Sequence, residues 1–168
     1  MNTESLRLSQ LGANHQIDQK KTLAQQNGSA MIEHVSLTVK DIESMTKFLC
    51  TAFPDFRKRG SGVIVDADRS QAWSHVGNDK QYIALYEARP GATHRPAAHT
   101  FTPSANHIGV VVDDVAAVKQ RLIAAGYREG FVPEEHPYRR RAYIIDPEGF
   151  EWELVQYLSG DDGERNQY

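Results

Sequence analysis

The sequence predicts an α+β fold made of two pseudo-symmetric βαβββ modules, and two observations lead to this prediction. First, the segment from His34 to Ile42 aligns with the segment from His107 to Val115, 73 residues further on. Each copy is an apolar, β-branched run that begins with a histidine and ends with an aspartate. Second, a helical pattern and then three strand-like segments follow each copy. A repeat of this length indicates two similar units packed as a pair.

The first module is predicted over residues 31–88. Its opening strand alternates polar and apolar positions from His34 to Val39, which is the period of a half-buried strand. Asp41 is the predicted N-cap of a helix that ends near Ala52. Three further strands are expected over residues 62–66, 71–76 and 81–87, with a turn at 77–79 between the last two.

The second module, residues 105–158, repeats this order after a polar linker. We expect a strand over 107–112, a helix over 115–125 with Gly126 as C-cap, and strands near 127–132, 142–145 and 151–158. The segment from Asp146 to Gly149 has the composition of a hairpin turn between the last two strands.

Length and composition narrow the class of protein. A chain of 168 residues with 40% apolar and 24% charged residues is typical of one globular domain, here residues 31–168, preceded by a polar extension over residues 1–30. The net charge of −3 gives no reason to expect a nucleic-acid partner, and no apolar run is long enough to span a membrane. One cysteine and no export signal favour a cytoplasmic location.

Strand parity suggests a metal site. A second alignment, 69 residues apart, matches 82–86 with 151–155 and makes Glu153 the counterpart of Ala84. Two-fold symmetry then predicts four positions around one centre: His34, Ala84, His107 and Glu153. Two imidazoles and a carboxylate suit one divalent ion, Fe(II) first and otherwise Mn, Ni, Co or Zn, and leave positions open for water or substrate. The alternative is that each histidine is a hydrogen-bonded core or rim residue.

The sequence resembles the vicinal oxygen chelate superfamily, which includes glyoxalase I, bleomycin-resistance proteins, fosfomycin-resistance thiol transferases and extradiol dioxygenases. The resemblance rests on the two histidine-led strands and on the segment Asp146-Pro-Glu-Gly-Phe-Glu-Trp-Glu153. It implies that the modules form a cupped mixed sheet around a metal held by His34, His107 and Glu153. Ala84 stands where glyoxalase I usually has a fourth ligand, a glutamate. Members of this superfamily often dimerise, so we expect a homodimer, with the site either within one chain or shared between two.

Several other residues are candidates for contact with the substrate. Arg139, Arg141 and Tyr143 share strand parity, so the arginines are expected to bind an anionic group of the substrate. Their alternative is a charged, solvated strand edge. Tyr143 also matches a pocket tyrosine of the fosfomycin-resistance enzymes, which implies that it orients substrate or donates a proton. The alternative is that it only packs in the cavity.

Two histidines and a group of aromatic residues complete the candidates. His136 is a candidate acid–base group, and its alternative is an ordinary histidine of a surface loop. His75 is a candidate substrate contact, and its alternative is a structural role. His94 and His99 in the linker are assigned no role. Two roles are open for a group of aromatic residues on the predicted strands, a wall that contacts a planar ligand or ordinary core packing. These residues are Trp73, Tyr82, Tyr86 and Trp152.

The resemblance and the predicted ligands favour a metal-dependent enzyme acting on a small molecule whose oxygens chelate the metal. A ring-cleaving or related dioxygenase is the first expectation, because the three ligands and the vacant corner at Ala84 suit Fe(II). Lyase, isomerase or thiol-transfer chemistry of the same superfamily is the alternative within the enzymes. A metal-free small-molecule binding protein of the bleomycin-resistance type is the alternative outside them.

Overall fold

A computed structural model describes residues 30–66, 69–93, 99–100 and 103–168. The predicted N-terminal extension therefore lies outside the described residues except for Ala30, as does His94. Within the described ranges the chain forms two four-stranded mixed sheets and three helices, so the predicted pair of βαβββ modules is confirmed. No helix in these ranges is both long and apolar enough to cross a membrane.

The first module forms one sheet with the order β1-β4-β3-β2, in which β1 and β4 are parallel and the other pairs antiparallel. The side chain of Asp41 caps α1 by accepting from the Ser44 backbone N–H at 2.9 Å, as the sequence predicts. Strand β2 begins five residues earlier than expected, because it pairs with β3 along most of its length. The elements are β1 (His34–Val39), α1 (Ile42–Ala52), β2 (Arg57–Asp66), β3 (Arg69–Gly77) and β4 (Tyr82–Glu87).

The second module forms a sheet with the equivalent order β5-β8-β7-β6. Its elements are β5 (His107–Val111), α2 (Val115–Ala124), β6 (Arg128–Glu129), β7 (Arg139–Ile145) and β8 (Glu151–Tyr157), and α3 (Asp162–Arg165) follows. Ala125, not Gly126, is the C-cap of α2, and Gly126 follows it at φ +91°, where a left-handed residue ends a helix.

The predicted strand near 127–132 is reduced to two residues. The backbone N–H of Gly130 still reaches the carbonyl of Tyr143 at 2.7 Å, but the next N–H, that of Phe131, donates to the Glu151 carboxylate at 2.8 Å. After Gly130 the chain leaves β7 and is held by this side chain of β8.

The strand registers reproduce both sequence alignments. His34 pairs with Tyr82 in the first sheet, and His107 pairs with Glu151 in the second. Two residues beyond Tyr82 and Glu151, Ala84 and Glu153 therefore occupy equivalent positions of the two sheets. The antiparallel pairs add a third equivalence, since His75 lies beside Ala84 as Tyr143 lies beside Glu153. Equivalent positions of the repeat are therefore equivalent positions of the fold.

One hydrophobic core joins the two modules on the helix-covered faces of both sheets. Helix α1 contributes Phe48 and Leu49, helix α2 contributes Leu122, and Trp152 of β8 is 1% exposed among them. Trp152 is thus a core residue and does not belong to an aromatic wall. Arg121 closes the contact between the helices by donating to the last carbonyls of α1. The opposite face of each sheet, called here its open face, is left for a site.

Candidate metal centre

His107 and Glu153 meet on the open face of the second sheet. They lie on the neighbouring strands β5 and β8, with His107 Nε2 3.2 Å from Glu153 Oε2, and their side chains are 31% and 15% exposed. The other imidazole nitrogen, Nδ1 of His107, is buried and has no hydrogen-bond partner among the residues that the structure describes. We call these two residues the His107–Glu153 pair.

Tyr143 completes this part of the open face. Its ring packs edge-on against His107 with the centroids 5.6 Å apart, and the residue is 5% exposed. Burial, followed by the hydrogen bond to Glu153 and the charge of that carboxylate, raises the pKa of Tyr143 to about 12. The phenol is therefore a neutral hydrogen-bond donor at physiological pH.

The donor chemistry of the His107–Glu153 pair fits a divalent metal. Imidazole nitrogen and carboxylate oxygen are ordinary ligands of Fe(II), Mn(II) and Zn(II). Buried polar atoms nearly always have a partner, so the unsatisfied Nδ1 of His107 is unusual. A metal at this pair would engage one ring nitrogen and leave the other for a hydrogen bond.

His34 lies on the open face of the first sheet and has other neighbours. Its Nδ1 is 2.8 Å from the Glu33 carboxylate, and its ring stacks on Tyr82 at a centroid distance of 4.8 Å. Among the residues that the structure describes, no three His, Cys, Asp or Glu side chains are arranged to hold a metal. One chain therefore assembles two of the three predicted ligands, and the three-residue site stays a prediction. Ala84 is buried at its register position beside His75.

The predicted substrate contacts lie in different surroundings. Arg141 donates to the Glu134 carbonyl at 3.3 Å, and its charge acts to lower the pKa of Tyr143, so it lies near the pair. Arg139 instead donates to the Gln167 carbonyl, and its guanidinium stacks on Tyr168 at 4.7 Å. The C-terminal segment thus occupies the side chain predicted to bind an anionic group.

The two candidate histidines are also in separate places. His136 forms an isolated bridge with Arg139, and its Nδ1 accepts from the Tyr138 N–H at 3.2 Å. His75 lies on the first sheet between Trp73 and Tyr82, with centroid distances of 4.8 and 4.6 Å. Desolvation, and then the positive charges nearby, lower the pKa of His75, which keeps its imidazole neutral.

Sequence reasoning missed one ionisable group beside the His107–Glu153 pair. Glu151 is 2% exposed, and its carboxylate accepts from the Phe131 N–H at 2.8 Å and lies 2.7 Å from His99 Nε2. The His99 ring is 6.4 Å from that of His107. Glu151 precedes Glu153 by two residues and so shares its face of β8, but no pattern connects a linker histidine to a residue 52 positions away.

Comparisons with known proteins agree on one fold. The family model described as the Glyoxalase/Bleomycin resistance protein/Dioxygenase superfamily matches residues 31–154. No curated protein sequence matches the chain. Similar solved structures include a glyoxalase family protein from Bacillus cereus, with 16% identity and a TM-score of 0.65 over 78% of this chain and 96% of that one.

Two further solved structures carry more specific names. The fosfomycin resistance protein FosX from Listeria monocytogenes, solved with Mn(II) and sulfate, is 20% identical with a TM-score of 0.56 over 83% of this chain and 98% of its own. The trypanothione-dependent glyoxalase I of Leishmania major is 16% identical with a TM-score of 0.58, over 76% and 87% of the two chains. At these identities the likeness is one of fold.

Proposed function

The chain belongs to the Glyoxalase/Bleomycin resistance protein/Dioxygenase superfamily, and on this basis we propose that it is a divalent-metal-dependent enzyme. Its substrate would be a small molecule whose oxygens chelate the metal. The observation that supports this most is the His107–Glu153 pair, in which an imidazole Nε2 and a partly buried carboxylate lie 3.2 Å apart on the open face.

The third ligand in this proposal is His34 of a second copy of the chain. His34 and the His107–Glu153 pair lie on the open faces of different sheets, at equivalent positions of the repeat. Two copies related by a two-fold axis would place the first sheet of each opposite the second sheet of the other. Such a homodimer contains two identical sites, each with His34 from one copy and the His107–Glu153 pair from the other.

A bound divalent metal would supply Lewis acidity and open positions for substrate oxygens. The residues of the chain then have separate tasks. Tyr143 stays protonated beside Glu153 because its pKa is raised, and it orients a substrate oxygen by donating a hydrogen bond to it; transfer of its proton would require substrate or metal to lower that pKa. Arg141 attracts an anionic group toward this face, and His75 contributes a neutral imidazole from the first sheet. Arg139 can join only if the C-terminal segment releases it, and His136 acts as an acid–base group only if substrate reaches the turn before β7.

A ring-cleaving or related dioxygenase using Fe(II) is the reaction we propose first. Three protein ligands leave more open positions than four do, and Ala84 places a methyl group where Glu153 has its carboxylate in the other module. The second candidate is a lyase, isomerase or thiol transferase. The solved FosX contains Mn(II), and the shared fold makes Mn(II) the next metal to test.

Metal content tests the proposal. Elemental mass spectrometry on protein purified without chelators should find about one ion per chain, and Glu153→Gln should lose it, whereas the exposed Glu135→Gln should retain it. Iron would support the dioxygenase, and manganese, nickel or zinc would support the second candidate. If no metal binds even after anaerobic reconstitution, the enzyme proposal is wrong and a small-molecule binding protein replaces it.

A further inference from the structure

The open face of the first sheet carries a connected series of rings that begins at His34. His34 stacks on Tyr82 at 4.8 Å, Tyr82 lies 4.6 Å from His75, and His75 lies 4.8 Å from Trp73, measured between ring centroids. Of these, Trp73, His75 and Tyr82 are half-buried, so each ring is packed on one side and accessible on another. Trp73, which sequence analysis left open between a ligand wall and the core, is therefore outside the core cluster.

Two glycines of β2 leave room for the Trp73 indole. Gly62 is the register partner of Trp73, and a Cβ at residue 62 would lie only 3.0 Å from Nε1 and 3.2 Å from Cε2 of the indole. A Cβ at Gly60 would lie 3.8 Å from Cη2 of the same ring. The indole thus lies across two positions where the strand has no side chain. The half-buried indole therefore offers ring surface on which a flat ligand can stack, and it is called here the stacking platform.

A cation stands beside this platform. Strand β2 has a bulge between Lys58 and Gly60, so Arg59 has no register partner. Its guanidinium carbon lies 4.6 Å from the Tyr82 ring centroid. A guanidinium that stacks on a ring by its face keeps its N–H edge available for a carboxylate. The Asp79 carboxylate pairs with the neighbouring Arg57, and the charge of Arg59 acts on that carboxylate only as a smaller cause of its lowered pKa.

We propose that this face binds the planar aromatic ring of an anionic substrate, with Trp73 stacking on the ring and Arg59 binding its carboxylate. This inference rests on the proposed function, because it names the substrate class of that site. Trp73 lies two strands from His34 and is in register with Thr38, four residues further along, so the two Cα atoms are about 16 Å apart at ordinary strand spacing and rise. The substrate is therefore an extended aromatic carboxylate whose ring covers Trp73, and the oxygens that chelate the metal near His34 belong to another part of the molecule.

Binding to the metal-free full-length protein tests the ring site without any catalytic assay. The probe is 4-nitrobenzoate, titrated by calorimetry in the presence of a chelator. Cyclohexanecarboxylate has the same charge without a flat ring and should bind about fivefold more weakly. 4-Nitrobenzyl alcohol has the ring without the charge and should bind about tenfold more weakly than 4-nitrobenzoate.

Two pairs of variants separate the contributions. Gly62→Ala should displace the indole and weaken binding of 4-nitrobenzoate about fivefold, whereas Gly60→Ala makes only ordinary contact and should bind as wild type does. Arg59→Gln should weaken binding about tenfold, and Lys47→Gln on the exposed side of α1 should not. Circular dichroism and the Tm confirm that each variant is folded.

Equal affinities of the Gly62→Ala and Gly60→Ala proteins would overturn the inference, and so would equal binding of the two carboxylates. Metal content measured on the same preparation separates this failure from failure of the proposed function. Metal without probe binding refutes the ring site alone. Probe binding that depends on Gly62 and Arg59, in a protein that takes up no metal, supports the ring site and refutes the enzyme proposal.

Discussion

The Asp146 carboxylate links the turn before β8 to the core, and its substitution has a calculable cost. Its Oδ1 accepts the backbone N–H groups of Glu148 and Phe150 at 2.8 and 2.9 Å, and its Oδ2 accepts the indole N–H of Trp152 at 3.0 Å. Asp146→Asn keeps an oxygen for the two backbone donors but turns an amide N–H toward the indole N–H. A buried donor without a partner costs about 1–3 kcal/mol. We therefore expect the free energy of unfolding to fall by about 2 kcal/mol.

Urea unfolding followed by circular dichroism measures this cost, and a double-mutant cycle with Trp152→Phe identifies its origin. Without the indole N–H, Asp146→Asn should cost about 1–2 kcal/mol less than in the wild type. Asp113→Asn, an exposed aspartate, should change the free energy of unfolding by less than about 0.5 kcal/mol. Equal costs of Asp146→Asn with and without the indole would refute the reasoning, because the loss would then arise elsewhere in the turn.

Three further predictions concern the groups around the two open faces. A Cβ at Gly130 would lie 2.2 Å from Glu151 Oε1. Gly130→Ala should therefore lower the free energy of unfolding, measured in urea, by about 2 kcal/mol. Gly160→Ala is the control and should change it little, because a Cβ at Gly160 would have no atom within 4 Å. The pKa of Tyr143 rises from 10.0 to about 12 on folding. The stabilisation of the folded protein by the neutral Tyr143 phenol is therefore full below pH 10 and is lost between pH 10 and 12. Tyr143→Phe should remove that part of the alkaline fall in Tm, and an unchanged Tm profile would contradict the assignment. Folding lowers the pKa of His75 below 6.5, so the unfolded chain takes up this proton more readily than the folded protein does. The contribution of His75 to the free energy of unfolding is therefore full above pH 6.5 and falls as the pH drops below it. His75→Gln should accordingly flatten the acid side of the Tm profile.

The parts of the fold that sequence predicts well are those encoded by local pattern. The alternation from His34 to Val39, its repeat from His107 and the predicted cap at Asp41 place β1, β5 and the start of α1 where the structure has them. The ends of β2 and β6 depend on distant partners. Just after β6 the Phe131 N–H bonds to a carboxylate 20 positions away, and no local pattern contains that information.

The candidate site divides in the same way. His107, Glu153 and Tyr143 lie on one face of the second sheet, and side-chain direction along each strand follows from the period of the strand alone. The contact of Arg139 with the C-terminal segment and that of His99 with Glu151 were not predicted. Both join segments that lack periodicity, so they could be found only from the folded chain.

A mixed dimer tests most directly the claim that the metal centre joins His34 of one copy to the His107–Glu153 pair of another. The His34→Ala and Glu153→Ala proteins are co-expressed with different affinity tags, and the species carrying both tags is isolated and analysed for metal. Each variant alone should bind none. The mixed dimer should hold about one ion, because one of its two sites combines an intact His34 with an intact His107–Glu153 pair. If the three ligands met within a single chain, both chains of the mixed dimer would lack one, and a mixed dimer without metal would contradict the shared site.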